Sequence, residues 1–254
     1  MHPTPLADWP LPDRARIHGV LTDIDDTLTA DGAIAPEAGA ALRRLRAAGL
    51  PVFAVTGRPA GWSAPFALAW PIDAIVAENG AVALWNEGGQ LRKAYAQDAP
   101  TRAANFTRLQ AAAARALREL PHARLATDSA GRETDIAIDH SEHAHLSDAD
   151  IARVVAILRD EGLTATVSSI HINGWIGAHD KLSGARWIVR ERLGRDLDAE
   201  IHHWVYVGDS TNDAAMFARF WHQLAHHPRY VAPRERGQGF ADVAEAVLAA
   251  RADI

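Results

Sequence analysis

The chain has 254 residues, 48% of them hydrophobic, with no cysteine and a formal net charge of −6. That length and apolar content suit one large α/β domain, or a core carrying a smaller insert. Charges spread along an acidic chain argue against a surface that coats nucleic acid, and the missing cysteine excludes disulfides, thiolate zinc sites and cysteine nucleophiles.

The first residues, MHPTPLADWPLPDRAR, are rich in proline and read as a loose lead-in rather than a secretory signal. No later apolar run is long enough to span a bilayer, so the expected location is the cytoplasm. Ile17 to Thr22 is a short buried-strand pattern that ends in the acidic cluster Asp23, Asp25, Asp26. A helical pattern follows from Pro36 and stops at Gly49; Pro51 to Thr56 is a second strand, Ala60 to Ala69 a short helix, and Asp73 to Gly80 a strand running into a loop. Strands separated by helices of this length predict right-handed βαβ units and a parallel sheet. Chemistry in such sheets gathers at the carboxyl ends of the strands, where Asp23, Thr56 and Glu78 all fall.

Past residue 81 the rhythm changes. AVALW and LRKAY flank a turn, an alanine-rich helix covers Asn105 to Leu120, and ARLAT and ETDIAID are strand patterns. Ser147 and Asp150 form a capping-box signal for a helix ended by Gly162, after which LTATVSSI and HINGWIGA are further strands. Strand pairs separated by helices predict an inserted α+β unit over residues 82–178, with the core made of 1–81 and 179–254. From Lys181 the βαβ rhythm returns: a helix to Gly194, a strand from His202 to Asp209, a helix from about Asp213, a short apolar pair near Leu224 and Ala225, then YVAP and a terminal helix.

Asp23 and Asp25 stand two apart at a strand end and so share one side of the backbone. One carboxylate can attack phosphorus without prior deprotonation, while the other protonates the leaving oxygen and later deprotonates water. Two anions repel a phosphate dianion, so the scheme requires a cation, and Mg²⁺ suits carboxylate and phosphate oxygens. The second acidic loop, GDSTND, offers Asp209 as a ligand supported by Asn212 or Asp213. Thr56 and Gly57, at a helix start, can hold phosphoryl oxygens, and Lys181 can neutralise the remaining phosphate charge.

The runs VLTDIDDTLT, VTGR, a lysine re-entering the core and VGDSTND, taken in that order, resemble the haloacid dehalogenase superfamily of phosphohydrolases. ENG at Glu78 to Gly80 and the α+β insert resemble its type IIB cap class, which includes Cof-like, sucrose-phosphate, trehalose-phosphate and mannosyl-3-phosphoglycerate phosphatases. The resemblance implies a Rossmann-like α/β core with an α+β cap that closes over a small phosphorylated substrate, a sugar phosphate. It implies Asp23 as nucleophile and metal ligand, Asp25 as acid/base and a ligand through its backbone carbonyl, Thr56 and Lys181 as phosphate binders, and Asp209 as metal ligand.

In such a cap, His171, Asn173 and Trp175 in HINGWIG would hang over the site, with Arg132, Glu133 and Asp135 as further candidates for contact with the leaving group. Arg58 and Asn79 belong to the same set, Arg58 with the alternative of a surface residue after the turn. The histidine runs around His140 and His222 lack both cysteine and an HExxH pattern, which argues against zinc. Three rivals remain: a phosphosugar mutase, which returns phosphate to a sugar; a non-catalytic binding module on the same fold; and carbon–halogen hydrolysis, disfavoured because that chemistry needs neither the second carboxylate nor the magnesium loop. Neither a nucleic-acid nor a membrane partner is expected.

Overall fold

The computed structural model describes residues 4–30, 32–168, 170–209, 213, 216 and 228–252. Its elements in chain order are β1 (Thr4–Pro5), α1 (Leu11–Ala15), β2 (Gly19–Thr22), β3 (Thr29–Ala30), β4 (Ala33–Ile34), α2 (Pro36–Ala47), β5 (Val52–Val55), α3 (Ala60–Ala69), β6 (Ala74–Ala77), β7 (Val82–Glu87) and β8 (Gln90–Tyr95). They continue with α4 (Ala99–Glu119), β9 (Arg124–Leu125), β10 (Asp135–Asp139), α5 (Asp148–Asp160), β11 (Thr164–Val167), β12 (His171–Trp175), α6 (Lys181–Leu193), β13 (Trp204–Val207), β14 (Tyr230–Val231) and α7 (Arg236–Ala252).

A six-stranded sheet runs in the order β13-β2-β5-β6-β7-β8, the first four strands parallel and the last two antiparallel. Its central strands are buried on both faces, so they read as continuous apolar runs rather than alternating ones. Val20, Val52, Ala54 and Ile75 face a core shared with Leu42, Leu45, Phe240 and Val247 of α2 and α7. Leu21, Phe53, Val55 and Val76 face Leu182, Ala185, Ile188 and Val189 of α6. The period of two therefore divides one sheet between two helical layers.

A second, antiparallel sheet runs β11-β12-β10-β9. Ile136, Ile138 and Ile172 point to one side, where they meet Leu109 and Ala116 of α4 and Val154, Ile157 and Leu158 of α5. Its other face carries Asp135, Asp139, His171, Asn173 and Trp175, set side by side by the register Asp135↔Trp175, Ala137↔Asn173, Asp139↔His171. That polar face turns toward the large sheet, and the turn Ser129–Gly131 packs on α3.

Two expectations change. The hairpin assigned to an insert beginning at residue 82 belongs to the large sheet: β7 pairs with β6 directly across the tight turn Glu78–Gly80, and Val82, Ala83 and Leu84 are all buried there. The lead-in is also not loose, since Leu6 and Trp9 are buried, Trp9 stacks on Tyr230 at 5.6 Å, and β1 pairs with β14. The helix from about Asp213 and the pair near Leu224 fall, apart from Asp213 and Met216, outside the described residues. Among the described residues no helix is long and apolar enough to cross a membrane.

Candidate active site

β2 delivers Asp23 at its carboxyl end, where the residue is almost fully buried and its backbone N–H donates to Val207 O at 2.8 Å. Both carboxylate oxygens are held. Oδ1 accepts from the Ile24 N–H at 2.8 Å, and Oδ2 lies 3.0 Å from Lys181 Nζ. Lys181 is the first residue of α6, whose start is fixed by a capping box between Asp180 and Ser183. The ammonium also donates to Asp213 Oδ1 at 2.7 Å, so one buried cation stands between two buried carboxylates. Asp213 accepts in addition from the Tyr206 hydroxyl and, through Oδ2, from the Asp209 N–H at 3.1 Å. Burial opposes the charge on Lys181, but Asp213 and Asp23 outweigh it and hold its pKa above the ordinary lysine range.

Asp209 is the open member of the group: its side chain is exposed and, among the described residues, accepts from the Thr27 hydroxyl at 3.5 Å. Among the described residues Asp23, Asp209 and Asp213 form the one group of three side chains whose ligand atoms all lie within 4.8 Å of one another. Burial pushes Asp23 well above the ordinary carboxylate range, Lys181 offsets part of that, and Asp213, Asp25 and Asp209 reinforce it. Asp209 is likewise pushed up to about 6, by burial and then by Asp213. Three carboxylates against one ammonium leave excess negative charge that a hard divalent cation would neutralise, so the donor set fits magnesium. Asn212 lies outside the described residues.

Asp25 is held from across the crevice. Arg58 Nε lies 3.0 Å from each of its carboxylate oxygens, and burial raises its pKa against the pull of that guanidinium. Arg58 is therefore buried, not a surface residue after the turn, because Asp128 Oδ2 at 3.2 Å and Glu142 Oε1 at 3.2 Å complete its shell from the small sheet's side. Thr56 is fully buried, and its hydroxyl accepts from the Arg58 N–H at 3.1 Å, which curls the backbone at Gly57. A Cβ on Gly57 would sit 2.8 Å from Asn173 Nδ2 and 3.2 Å from Asn79 Oδ1, so only glycine leaves room there.

The remaining candidates form a roof. Arg132 donates to Gly57 O at 3.1 Å, Asp135 Oδ1 at 2.8 Å and Asp128 Oδ1 at 3.2 Å; Asn79 Nδ2 reaches Asp135 Oδ2 at 3.4 Å. His171 Nε2 pairs with Glu142 Oε2 at 2.9 Å, and burial, then Arg132, hold its pKa below the ordinary range. Trp175 shares the face of His171 and Asn173 but turns its N–H to His179 O at 2.8 Å. Glu133 differs from the rest: its side chain is partly exposed and binds Lys93 and Tyr95 at 2.5 and 2.6 Å.

Sequence reasoning missed Tyr206, Asp128 and Glu142, and gave Glu78 a place but no role. Glu78 is fully buried and accepts from the N–H groups of Ala60, Glu133 and Thr134 at 2.9, 3.0 and 2.6 Å, and from the Thr134 hydroxyl at 2.5 Å. An acidic residue in the buried turn after an apolar strand was the available signal, since a charge there requires several donors.

A family model described as haloacid dehalogenase-like hydrolase matches residues 20–106. No curated protein sequence matches the chain. Among solved structures, Thermoplasma acidophilum 0175 aligns with a TM-score of 0.68 at 18% identity, over 91% of this chain and 98% of that one. The C-terminal domain of Candida albicans trehalose-6-phosphate phosphatase aligns with a TM-score of 0.68 at 10% identity, over 98% and 99%. The sucrose-phosphatase of Synechocystis sp. PCC6803, in complex with sucrose and phosphate, aligns with a TM-score of 0.62 at 14% identity, over 91% and 97%.

Proposed function

We propose that this chain, a haloacid dehalogenase-like hydrolase, is a magnesium-dependent phosphatase that hydrolyses a phosphorylated sugar or similar small metabolite through an aspartyl-phosphate on Asp23. The observation that carries the reading is the row Asp213–Lys181–Asp23, in which a buried ammonium orients the carboxylate that would attack. The sucrose-phosphatase and trehalose-6-phosphate phosphatase that share this fold support the substrate class.

In the first step a carboxylate oxygen of Asp23 bonds to phosphorus as the bond to the leaving oxygen breaks, and Asp25 gives its proton to that oxygen. Burial raises the pKa of Asp25 against the pull of Arg58, the direction that favours a carboxyl able to carry a proton. Water then bonds to phosphorus and loses its proton to Asp25, while the Asp23–phosphorus linkage breaks and inorganic phosphate leaves. Lys181 and the Thr56–Gly57 turn would hold the equatorial phosphoryl oxygens. Asp23 and Asp209, with the Asp25 carbonyl, would hold Mg²⁺, which supplies charge neutralisation for the transferring group. Asp213 keeps Lys181 and the Asp209 loop in place. The four-stranded unit would act as a cap that excludes water from the first step and reads the leaving group.

Phosphate release from a panel of phosphosugars and phosphorylated small acids, with Mg²⁺, with EDTA and with Asp23→Asn, tests this reading. Magnesium-dependent release that falls at least a thousandfold in Asp23→Asn is expected. Isomerised sugar phosphate in place of free phosphate would make the chain a mutase. No turnover by folded protein would make it a binding module.

A further inference from the structure

Two polar atoms of the roof are buried without a partner among the described residues, Asn173 Oδ1 and Arg132 Nε. Their residues are 1% and 6% exposed. Both adjoin Gly57, beside the phosphate-holding Thr56: Arg132 through its bond to Gly57 O, Asn173 through the amide that lies 2.8 Å from where a Gly57 Cβ would be. Native proteins pair nearly all such buried groups, so an unmatched acceptor and an unmatched donor at one turn point to a ligand that supplies both. A hydroxyl donates and accepts; a carboxylate only accepts, and an ammonium only donates.

The charge around these atoms narrows the ligand further. Arg58 is committed to Asp25, Asp128 and Glu142, and Arg132 to Asp128 and Asp135. His171 is held toward its neutral form. Four carboxylates thus face two guanidiniums, so although Arg132 Nε still offers one N–H, the positive charge is already balanced and nothing there compensates a further acid.

We propose that Asn173 is a specificity-determining residue whose side-chain oxygen accepts a hydrogen bond from a hydroxyl of the leaving group, selecting uncharged hydroxylated leaving groups and rejecting those with a second acid. The proposal rests on the phosphatase reading and refines its substrate class. A site that hydrogen-bonds a substrate hydroxyl discriminates strongly against analogues that leave its polar groups unpaired.

The experiment is steady-state phosphate release by wild type, Asn173→Ala and Asn173→Leu. The compounds are glucose 6-phosphate, glycerol 1-phosphate, glucosamine 6-phosphate, 2-phosphoglycolate, 3-phosphoglycerate and p-nitrophenyl phosphate. Wild-type kcat/KM is expected to be highest on glucose 6-phosphate or glycerol 1-phosphate. The ratio of that value to the one for p-nitrophenyl phosphate, which has no leaving-group hydroxyl to offer, is expected to fall about 10- to 100-fold in both variants. If alanine leaves a void that unfolds the protein, leucine, close to asparagine in size, reads the same ratio. An unchanged ratio, or a wild-type preference for either phosphorylated acid or for glucosamine 6-phosphate, overturns the proposal. Absence of release from every compound, p-nitrophenyl phosphate included, overturns the phosphatase reading instead.

Discussion

Asp135 lies fully buried on β10 between Arg132, Asn79, Glu78 and Asp128, and its carboxyl is pushed up to about 7 by burial that Arg132 only partly offsets. Its folded pKa is thus above the value of about 4 for an unfolded aspartate. Between those two values the folded chain holds a proton that the unfolded chain has released, so stability falls as pH rises through about 4 to 7, by at most ~1.4 kcal/mol per unit for one proton. Asparagine at this position keeps an acceptor for Arg132 and removes the titration. Urea unfolding at pH 5, 6 and 7 should show Asp135→Asn gaining stability relative to wild type at each step; a difference that stays constant with pH would contradict the assignment. At this scale the acids that gather around Lys181 were legible, because acids at strand ends after apolar runs are unusual enough to stand out. Arg58 was misread in part because its partners Asp128 and Glu142 come from the other sheet, and no local pattern pairs residues across a crevice.

At the scale of elements, α6 couples the core packing to the chemistry. Its apolar side seats Leu182, Ala185, Ile188 and Val189 on the sheet, while its first residue is the Lys181 that meets Asp23. The helix crosses the turn after β6 at Gly80 and Gly184, where a Cβ on Gly184 would sit 2.6 Å from Gly80 Cα. The nearest atom is backbone, so a substituted helix must move away. Gly184→Ala should therefore lose about 1–3 kcal/mol of stability and lower kcat about 10- to 100-fold, because a displacement near 1 Å spoils the aim of a catalytic group. Denaturant titration together with phosphate release checks both; lowered stability with wild-type kcat would uncouple helix seating from Lys181. Helix starts and stops were readable where capping signals exist, as at Ser147 and Gly194. The hairpin β7–β8 was assigned to the wrong sheet because antiparallel strands after a βαβ run look the same whether they extend the old sheet or begin a new one.

For the whole molecule, what matters is how the two sheets hold together around a polar crevice, and there the sequence is nearly silent. Fully buried isoleucines and leucines seal each sheet against its own helices, at roughly 1.5–3 kcal/mol apiece, and leave polar faces to meet each other. Contact across the crevice runs through hydrogen bonds to charged groups, which reopen at far smaller cost than an apolar core. Glu78 is central to it, because its carboxylate spans from the Ala60 N–H of the core to the Glu133 and Thr134 N–H groups opposite, from a backbone held at φ 50°. Glutamine would keep that backbone and volume but turn an NH₂ toward donors, weakening the closed arrangement by about 1–3 kcal/mol. With the open form more populated, Glu78→Gln should raise KM more than it lowers kcat, since Asp23, Asp25 and Lys181 do not depend on the contact for their own bonds. It should also speed protease cleavage in the connectors at residues 96–98 and 176–180, where the chain passes between the two units. Cleavage at the wild-type rate together with an unaltered KM would show that Glu78 only shapes its own turn and does not hold the crevice closed.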